Sequence, residues 1–287
     1  DGKEYQIKSK VVVNATGVFV DDVMKMDECD TRKKVRPSQG VHLVVDSKFL
    51  GGRSALMIPK TKDGRVLFGV PWHGKVVLGT TDTPLNEASL EPRALEEEVD
   101  FILDQAGQYL DRKPTRADVL SIFAGLRPLA APTHADSKKT KEISRNHKIY
   151  RSKSGLLTIT GGKWTTYRAM AEDVINQAIV IGGLSPAECV TKNLRVHGYT
   201  TEQFDENDWN YVYGSDADKI QKMIEKEPSF AEKLYEGYTF TAAHVVWAAR
   251  EEFAQNIEDV LARRVRMLFL DARAALEIAP KVASVLA

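Results

Sequence analysis

The sequence predicts a mixed fold, α/β and α+β up to about residue 190 and all-α beyond it. Short β-branched runs separated by Gly and Pro recur through the first 190 residues. Two segments of helical apolar spacing lie among these runs, one of them directly after a strand and a glycine turn. After Tyr199 the strand patterns end and a four-residue apolar spacing takes over. We therefore expect a first region over residues 1–190 and a C-terminal helical domain over 191–287.

The individual elements follow from the same patterns. The predicted strands are Lys10–Asn14, Val41–Asp46, Arg65–Val70, Lys75–Gly79, Val119–Phe123, Ile143–Arg151 and Leu156–Thr160. One helix is predicted over Leu95–Leu110, with Pro92 near its first turn, and another ends at about Ile181. In the C-terminal domain a helical face with a supporting pair of Asp259 and Arg263 is predicted from Phe253, Ile257, Leu261, Val265 and Leu268.

The composition of the chain indicates that its function depends on a local binding or catalytic site and not on a broadly charged surface. The chain has 287 residues, 43% of them hydrophobic, and its 40 basic residues balance 40 acidic ones. This balance argues against a broad basic surface, so no nucleic-acid partner is expected. Cys29 and Cys189 are too few for a disulfide framework or a thiolate zinc site, which favours a reducing, cytosolic setting and no metal. No apolar run approaches the ~20 residues that span a bilayer.

The stretch LLTITGGKWTTYRAMAE, from Leu156 to Glu172, joins a strand to a helix through Gly161 and Gly162. Such a turn brings free backbone N–H groups, the positive end of a helix dipole and Lys163 to one place. This combination favours an anionic or electron-rich ligand. The alternative is a glycine turn that serves close packing, with a solvated lysine.

A second turn follows the apolar run VVVN, where Ala15, Thr16 and Gly17 stand at the carboxyl end of a predicted buried strand. Ligands of open α/β sheets bind at this edge, and small residues let a cofactor approach closely. The alternative is a packed strand and turn without a ligand.

Two further side chains are candidates for chemistry. His42 alternates with Val41 and Leu43 on a predicted strand, so it points to the opposite face from them, and an imidazole can accept a proton near neutral pH. Arg127 precedes Pro128 at the end of a strand, where its guanidinium could bind a phosphate or carboxylate. A hydrogen-bonded core histidine and an arginine paired with an acidic neighbour are the simpler alternatives.

The motifs occur together in an order that resembles FAD-dependent, quinone-linked glycerol-3-phosphate dehydrogenases. They are ATG, RPSQGVHLVV, GTTDTPL, AGLRPL, ISRNH, GLLTITGGKWTTYRAMAE and the helical tail AAREEFAQNIEDVLARRVRMLFLD. The resemblance covers essentially the whole chain. It implies oxidation of sn-glycerol 3-phosphate to dihydroxyacetone phosphate with FAD as cofactor and a quinone as electron acceptor. It also implies a cytoplasmic protein attached peripherally to the cytoplasmic membrane, and it is compatible with a homodimer.

The resemblance also implies roles for regions and residues. Segments of about 1–36 and 152–183 would face FAD in an incomplete Rossmann-like domain, and a mixed-sheet segment of about 37–151 would hold the substrate. His42 and Arg127 would be catalytic, while Arg127, Arg145 and Lys163 would bind the substrate phosphate. The residues that would face the cofactor are Ala15, Thr16, Gly17, Gly161, Gly162, Lys163, Trp164 and Thr165.

Members of that family carry a G-x-G-x-x-G turn in an N-terminal section, and this sequence contains none. We therefore expect a C-terminal fragment whose partner is the missing N-terminal FAD-binding portion. Three alternatives stay open. The protein could be a glycerol-3-phosphate oxidase that uses oxygen, an amine or amino-acid oxidase of the same flavoprotein group, or a non-catalytic interaction module built on the helical tail.

Overall fold

The structure is a computed structural model that describes residues 2–131, 146–203, 205 and 208–287. The chain divides into two compact units. The first comprises Asp1–Gly40, Asp82–Arg93 and Ala124–Leu194, and the second comprises Val41–Thr81, Ala94–Phe123 and Arg195–Ala287. Each unit is assembled from several segments, and the division at residue 190 stays a prediction.

The strands are β1 (Val13–Asn14), β2 (Val35–Asp46), β3 (Leu56–Ile58), β4 (Leu67–Trp72), β5 (Lys75–Gly79), β6 (Thr83–Pro84), β7 (Ser121–Ala130), β8 (His147–Arg151) and β9 (Leu157–Gly161). The α-helices are α1 (Val20–Asp27), α2 (Glu96–Ala106), α3 (Tyr167–Ile181), α4 (Ala217–Lys226), α5 (Ala242–Glu251), α6 (Met267–Leu270) and α7 (Ala272–Leu286). The predicted mixed fold with a helical C-terminal region is confirmed. Within the described ranges, no helix combines the length and the apolar character that crossing a membrane requires.

In the first unit, β9 lies between β1 and β8 in a small sheet. It pairs in parallel with β1, with Val13 opposite Leu157, and antiparallel with β8. Helix α3 covers this sheet, and the core between them consists of Leu157, Ile159, Val174 and Ala178. Four of the five residues of β9 are buried, as suits a strand that lies between two others under a helix.

In the second unit, β3, β4, β5 and the end of β2 form antiparallel neighbours in that order. The β4–β5 hairpin turns at His73 and Gly74, both with positive φ, as a two-residue hairpin turn requires. Helix α2 begins at Glu96, four residues after Pro92, so the proline predicted near its first turn precedes the helix. The buried carboxylate of Glu98 instead accepts the Leu95 N–H at 3.0 Å and defines the helix start.

Strands β2 and β7 each contain residues of both units. In the first unit, Gln39 of β2 pairs with Thr83 of β6. Strand β7 pairs with β2 and runs antiparallel to it, since Leu120 bonds to Val44 at one end and Ala131 bonds to Lys34 at the other.

The C-terminal helices pack around a core that includes Leu234, Val245, Leu261, Leu270 and Ile278. The single apolar face predicted from Phe253 to Leu268 is interrupted. Phe253 is 85% exposed and left-handed, with φ 58°, and it follows the end of α5. Residues Asp259–Arg264 then form a π-helix rather than an α-helix. The predicted ion pair of Asp259 and Arg263 is confirmed, with 3.2 Å between its atoms.

Candidate active site

The parallel pairing of β1 and β9 brings the two predicted turns to one edge of the small sheet. Ala15–Gly17 follows β1 directly, and the turn at Gly161–Gly162 stands at the end of β9. The buried side chain of Asn14 joins the strands, since its Nδ2 donates to Thr158 Oγ1 at 3.2 Å and to the Val20 carbonyl at 2.9 Å. Because the carboxyl ends of parallel strands meet here, the site has the location that ligands of α/β sheets use.

The glycines of the second turn are required by its backbone. Gly161 and Gly162 have φ of 76° and 77°, which residues with a β-carbon rarely adopt. A β-carbon at Gly161 would lie 2.9 Å from the Asn146 carbonyl oxygen, and one at Gly162 would overlap the Met170 thioether. The turn therefore serves close packing, as the simpler interpretation holds, and it also starts the helical segment that continues as α3.

The start of that segment fits an electron-rich group such as the flavin of FAD. Trp164–Thr166 forms a 3₁₀ turn that leads into α3, and neither contains an acidic residue in its first turn. Lys163, Trp164 and Thr165 are all exposed. On the neighbouring turn, Gly17 has φ 63° and open space where a β-carbon would stand. The positive end of a helix, a lysine and an uncovered glycine together suit a bound anion or flavin.

The Arg127 guanidinium lies against Gly40 of β2 in the first unit. A β-carbon at Gly40 would overlap its guanidinium, so this glycine makes room for the arginine. The Arg127 Nη1 atom is 3.7 Å from Asp82 Oδ1, and the Ser38 hydroxyl donates to the same carboxylate oxygen. The Arg127 side chain remains 36% exposed, so a ligand can reach it.

Asp82 and Ser38 were missed as site residues from the sequence. The signal was available, since they lie in the quoted motifs GTTDTPL and RPSQGVHLVV. Asp82 orients the guanidinium, and it also lowers the net positive charge that Arg127 presents.

His42 lies on β2 in the second unit, opposite Gly79 of β5. A β-carbon at Gly79 would overlap the imidazole, and Phe123 stacks on it with ring centroids 5.2 Å apart. The half-buried ring is thus held between a glycine and an aromatic side chain. Arg127, Lys163 and the two turns belong to the first unit, whereas His42 belongs to the second.

Arg145, the third predicted phosphate contact, lies outside the described residues. The histidine that closes the same ISRNH motif is described. His147 stands opposite Gly161 on β8, and its Nε2 atom is 2.7 Å from Asp173 Oδ2 of α3. This pair borders the glycine turn and was not predicted. Among the residues that the structure describes, no group of three or more His, Cys, Asp or Glu side chains could hold a metal ion.

Comparisons with known proteins show the family to which this chain is similar. A family model described as FAD dependent oxidoreductase matches residues 1–168, and one described as the C-terminal domain of alpha-glycerophosphate oxidase matches residues 157–287. The mitochondrial glycerol-3-phosphate dehydrogenase SDP6 of Arabidopsis thaliana is 40% identical over 316 residues, which cover 100% of this chain and 50% of the relative. The mitochondrial glycerol-3-phosphate dehydrogenase of Bos taurus is 37% identical, with 98% and 41% covered.

The solved glycerol-3-phosphate dehydrogenase of Bacillus halodurans, complexed with FAD, superimposes with a TM-score of 0.76 at 29% identity and covers 96% of this chain and 59% of that one. The chain spans about half the length of the curated relatives it matches. The resemblance drawn from the motifs is thereby confirmed, and so is FAD as the cofactor of the family. The model described as FAD dependent oxidoreductase matches residues 1–168, which are more than half of this chain. The chain therefore belongs to the FAD dependent oxidoreductase family.

Proposed function

We propose that the whole protein oxidises sn-glycerol 3-phosphate to dihydroxyacetone phosphate and passes the electrons to a quinone. The observation that carries this proposal is the parallel pairing of β1 and β9, since it brings two glycine-containing turns and Lys163 to the carboxyl edge of the small sheet. The substrate is proposed because similar proteins bear the name glycerol-3-phosphate dehydrogenase.

FAD, when bound, supplies the acceptor for the hydride that leaves C2 of the substrate. The residues that would hold it are the small residues of the first turn and the N-terminal residues of the second: Ala15, Thr16, Gly17, Gly161, Gly162, Lys163, Trp164 and Thr165. Backbone N–H groups at the start of a helix and the Lys163 ammonium stabilise negative charge placed beside them.

His42 is proposed to accept the proton of the C2 hydroxyl as the hydride leaves. A neutral imidazole has one nitrogen with a free lone pair, and its ordinary pKa suits proton transfer near neutral pH. The stack on Phe123 and the close approach to Gly79 hold the ring in one orientation. General base catalysis of this kind contributes about 10²–10⁴ to a rate.

The substrate phosphate is proposed to bind to Arg127, Lys163 and Arg145. The planar guanidinium of Arg127 can donate two parallel hydrogen bonds to phosphate oxygens, whereas the Lys163 ammonium acts as a point charge. Asp82, 3.7 Å from Arg127 Nη1, acts as a positioning residue for the guanidinium. Its carboxylate also keeps the arginine partly neutralised until the dianion arrives.

Oxygen is a second candidate for the electron acceptor. The model that matches residues 157–287 is described as the C-terminal domain of alpha-glycerophosphate oxidase, and this description favours an oxidase as the alternative. An oxidase would form hydrogen peroxide instead of reduced quinone.

Peripheral attachment to the cytoplasmic membrane is proposed together with the quinone, because a quinone is dissolved in the bilayer. Homodimer formation remains a proposal as well. The plant and bovine relatives are named as mitochondrial enzymes, and the cytoplasmic location stays a prediction for this chain.

The test uses the full-length protein loaded with FAD. We expect sn-glycerol 3-phosphate to bleach the flavin absorbance under anaerobic conditions, whereas glycerol and glycine leave it unchanged on the same timescale. Reoxidation by a soluble quinone without peroxide would support the dehydrogenase, and peroxide formation in air would support the oxidase. Bleaching by glycine but not by glycerol 3-phosphate would contradict the proposed substrate and favour an amino-acid oxidase.

A further inference from the structure

The second unit contains a cleft of about 210 Å³ whose lining includes none of the residues assigned above. It lies between the β4–β5 hairpin turn and the C-terminal helical segments of the same unit. The lining residues that matter for its chemistry are His73, Tyr213, Glu252, Arg263, Arg264 and Arg266. Because three arginines line so small a cleft, we expect each of them to have an anionic partner.

Two of these arginines have partners within the protein. Arg263 is 2.6 Å from Glu258 and also contacts Asp259, and Arg264 Nε is 3.5 Å from Glu252 Oε2. In the described ranges, no ion pair or hydrogen bond joins the side chain of Arg266 to another residue. The carboxylates of Glu258, Asp259 and Glu252 thus lie beside the other two arginines, and Asp216, which also lines the cleft, pairs with Lys219 at 2.7 Å. Arg266 is the lining arginine for which the described residues provide no carboxylate.

The backbone of Arg266 is in the left-handed region, with φ 57° and ψ 21°. Residues with a β-carbon rarely adopt this conformation, and glycine would adopt it without strain. The π-helix Asp259–Arg264 ends two residues earlier. Left-handed residues and π-helical turns concentrate at functional sites. The chain thus keeps a cationic residue at a position where the backbone alone favours glycine.

Tyr213 provides a second, independent feature of the cleft. The residue is only 8% exposed, and its hydroxyl has no hydrogen-bond partner among the described residues. Buried hydroxyl groups nearly always have a partner, so this one points to a ligand or a water. Burial raises the pKa of Tyr213, which keeps the hydroxyl protonated as a donor. Burial and the charge of Arg266 lower the pKa of His73, as expected beside a positive site.

We infer that this cleft binds an oxyanion of the phosphate class, with Arg266 as its ionic partner and the Tyr213 hydroxyl as a hydrogen-bond donor. A cation is disfavoured by Arg266, for which no carboxylate partner lies in the described ranges. A guanidinium fork and a protonated hydroxyl donate hydrogen bonds, and the unprotonated oxygens of a phosphate accept them. The phosphate could belong to a soluble phosphate compound or to the headgroup of an anionic lipid, and the experiment separates these two sources.

The test measures binding of inorganic phosphate to the full-length FAD-loaded protein by calorimetry at constant ionic strength, with chloride as the reference anion. An Arg127→Ala background removes a contact proposed for the substrate site. In that background we expect phosphate to bind still, and Arg266→Gly to weaken its binding about tenfold or more, as loss of a charged hydrogen bond implies. Phe253→Gly is the matched control, because it also replaces a left-handed residue but removes no cleft cation.

Tyr213→Phe gives a second measurement that keeps the shape of the side chain and should also weaken phosphate binding. Cosedimentation with phosphatidylcholine vesicles, with and without phosphatidic acid, identifies the source. Binding of phosphatidic acid vesicles that depends on Arg266 would assign the site to a lipid headgroup, and binding of inorganic phosphate alone would assign it to a soluble compound. The inference would be overturned if the Arg127→Ala protein bound neither inorganic phosphate nor phosphatidic acid vesicles, or if neither Arg266→Gly nor Tyr213→Phe changed the binding.

Discussion

The imidazole of His42 stacks on the ring of Phe123, with the centroids 5.2 Å apart and the ring planes 18° apart. Phe123 is itself held by an edge contact with Phe269, whose centroid is 5.2 Å away. On β5, Gly79 leaves room for the imidazole where any β-carbon would overlap it. The direction of the two ring nitrogens is therefore set by packing, which is the condition that a preorganised proton acceptor requires.

Replacement of this imidazole tests its proposed role. In the full-length FAD-loaded protein, His42→Ala should slow flavin reduction by glycerol 3-phosphate about 10²-fold or more, because a proton acceptor is lost. Stopped-flow absorbance measures the rate, and the bound flavin should remain stoichiometric. Phe123→Leu serves as the control that keeps the imidazole but loosens it, and it should cause a smaller loss. A normal reduction rate in His42→Ala would show that the histidine only fills space.

The phosphate contacts make a different prediction. Arg127→Lys keeps the charge but removes the guanidinium fork, and Lys163→Ala removes a point charge. Each change should reduce kcat/KM for glycerol 3-phosphate about ten- to a hundredfold, since a charged hydrogen bond contributes roughly 1.5–3 kcal/mol.

The controls for this prediction are the slow oxidation of plain glycerol and the variant Lys153→Ala, which removes an exposed lysine of the same unit. We expect Arg127→Lys and Lys163→Ala to reduce kcat/KM for glycerol less than they reduce kcat/KM for glycerol 3-phosphate. Equal losses on both substrates would mean that Arg127 and Lys163 serve the flavin or the fold.

The glycine turn allows a stability test with an internal control. Gly162 and Gly183 both have positive φ, but only at Gly162 would a β-carbon overlap another side chain, that of Met170. Gly183→Ala should cost about 1–2 kcal/mol of unfolding free energy for the left-handed backbone alone. Gly162→Ala should cost clearly more, and urea unfolding followed by circular dichroism would measure both. Equal costs would show that Met170 moves aside freely.

Burial of His244 leads to a prediction of how the free energy of unfolding depends on pH. Burial lowers its pKa to about 4, and its ring accepts the Thr241 N–H at 3.0 Å and lies 2.8 Å from Asn210 Oδ1. As pH falls from about 6.5 to 4, the unfolded chain binds a proton that the folded chain does not. The contribution of His244 to the free energy of unfolding is therefore fully present above about pH 6.5. It is lost as the pH falls to about 4, by roughly 3 kcal/mol in total.

Urea unfolding at several pH values from 7 to 4 would measure this dependence. His244→Gln removes the titrating group, so the variant should lose less stability than the wild type across the same window. The other titrating groups are common to both proteins and cancel in the comparison. Identical pH profiles would mean that His244 takes up its proton in the folded protein as readily as in the unfolded chain.

The sequence by itself determined the local structure and the chemical character of the turns. The strand pattern, the glycine pair before α3 and the ion pair of Asp259 and Arg263 could all be predicted, because each depends on residues within a few positions of one another. The motifs also carried the resemblance to the flavin-dependent family. The interrupted helix after Phe253 was not predicted, since its apolar spacing is the same for a continuous helix.

Only the tertiary structure decided which distant residues meet. Asn14 and Thr158 are 144 positions apart, and their hydrogen bond belongs to a strand pairing that no local pattern specifies. Asp82 reaches Arg127, and Phe123 reaches His42, through the pairing of β2 with β5, β6 and β7. The Arg266 guanidinium and the Tyr213 hydroxyl, for which the described part of the chain provides no partner, likewise come together only in a folded cleft. The physical reason is that periodicity encodes which face of an element is buried, whereas the partner of each buried or charged group depends on how the whole chain packs.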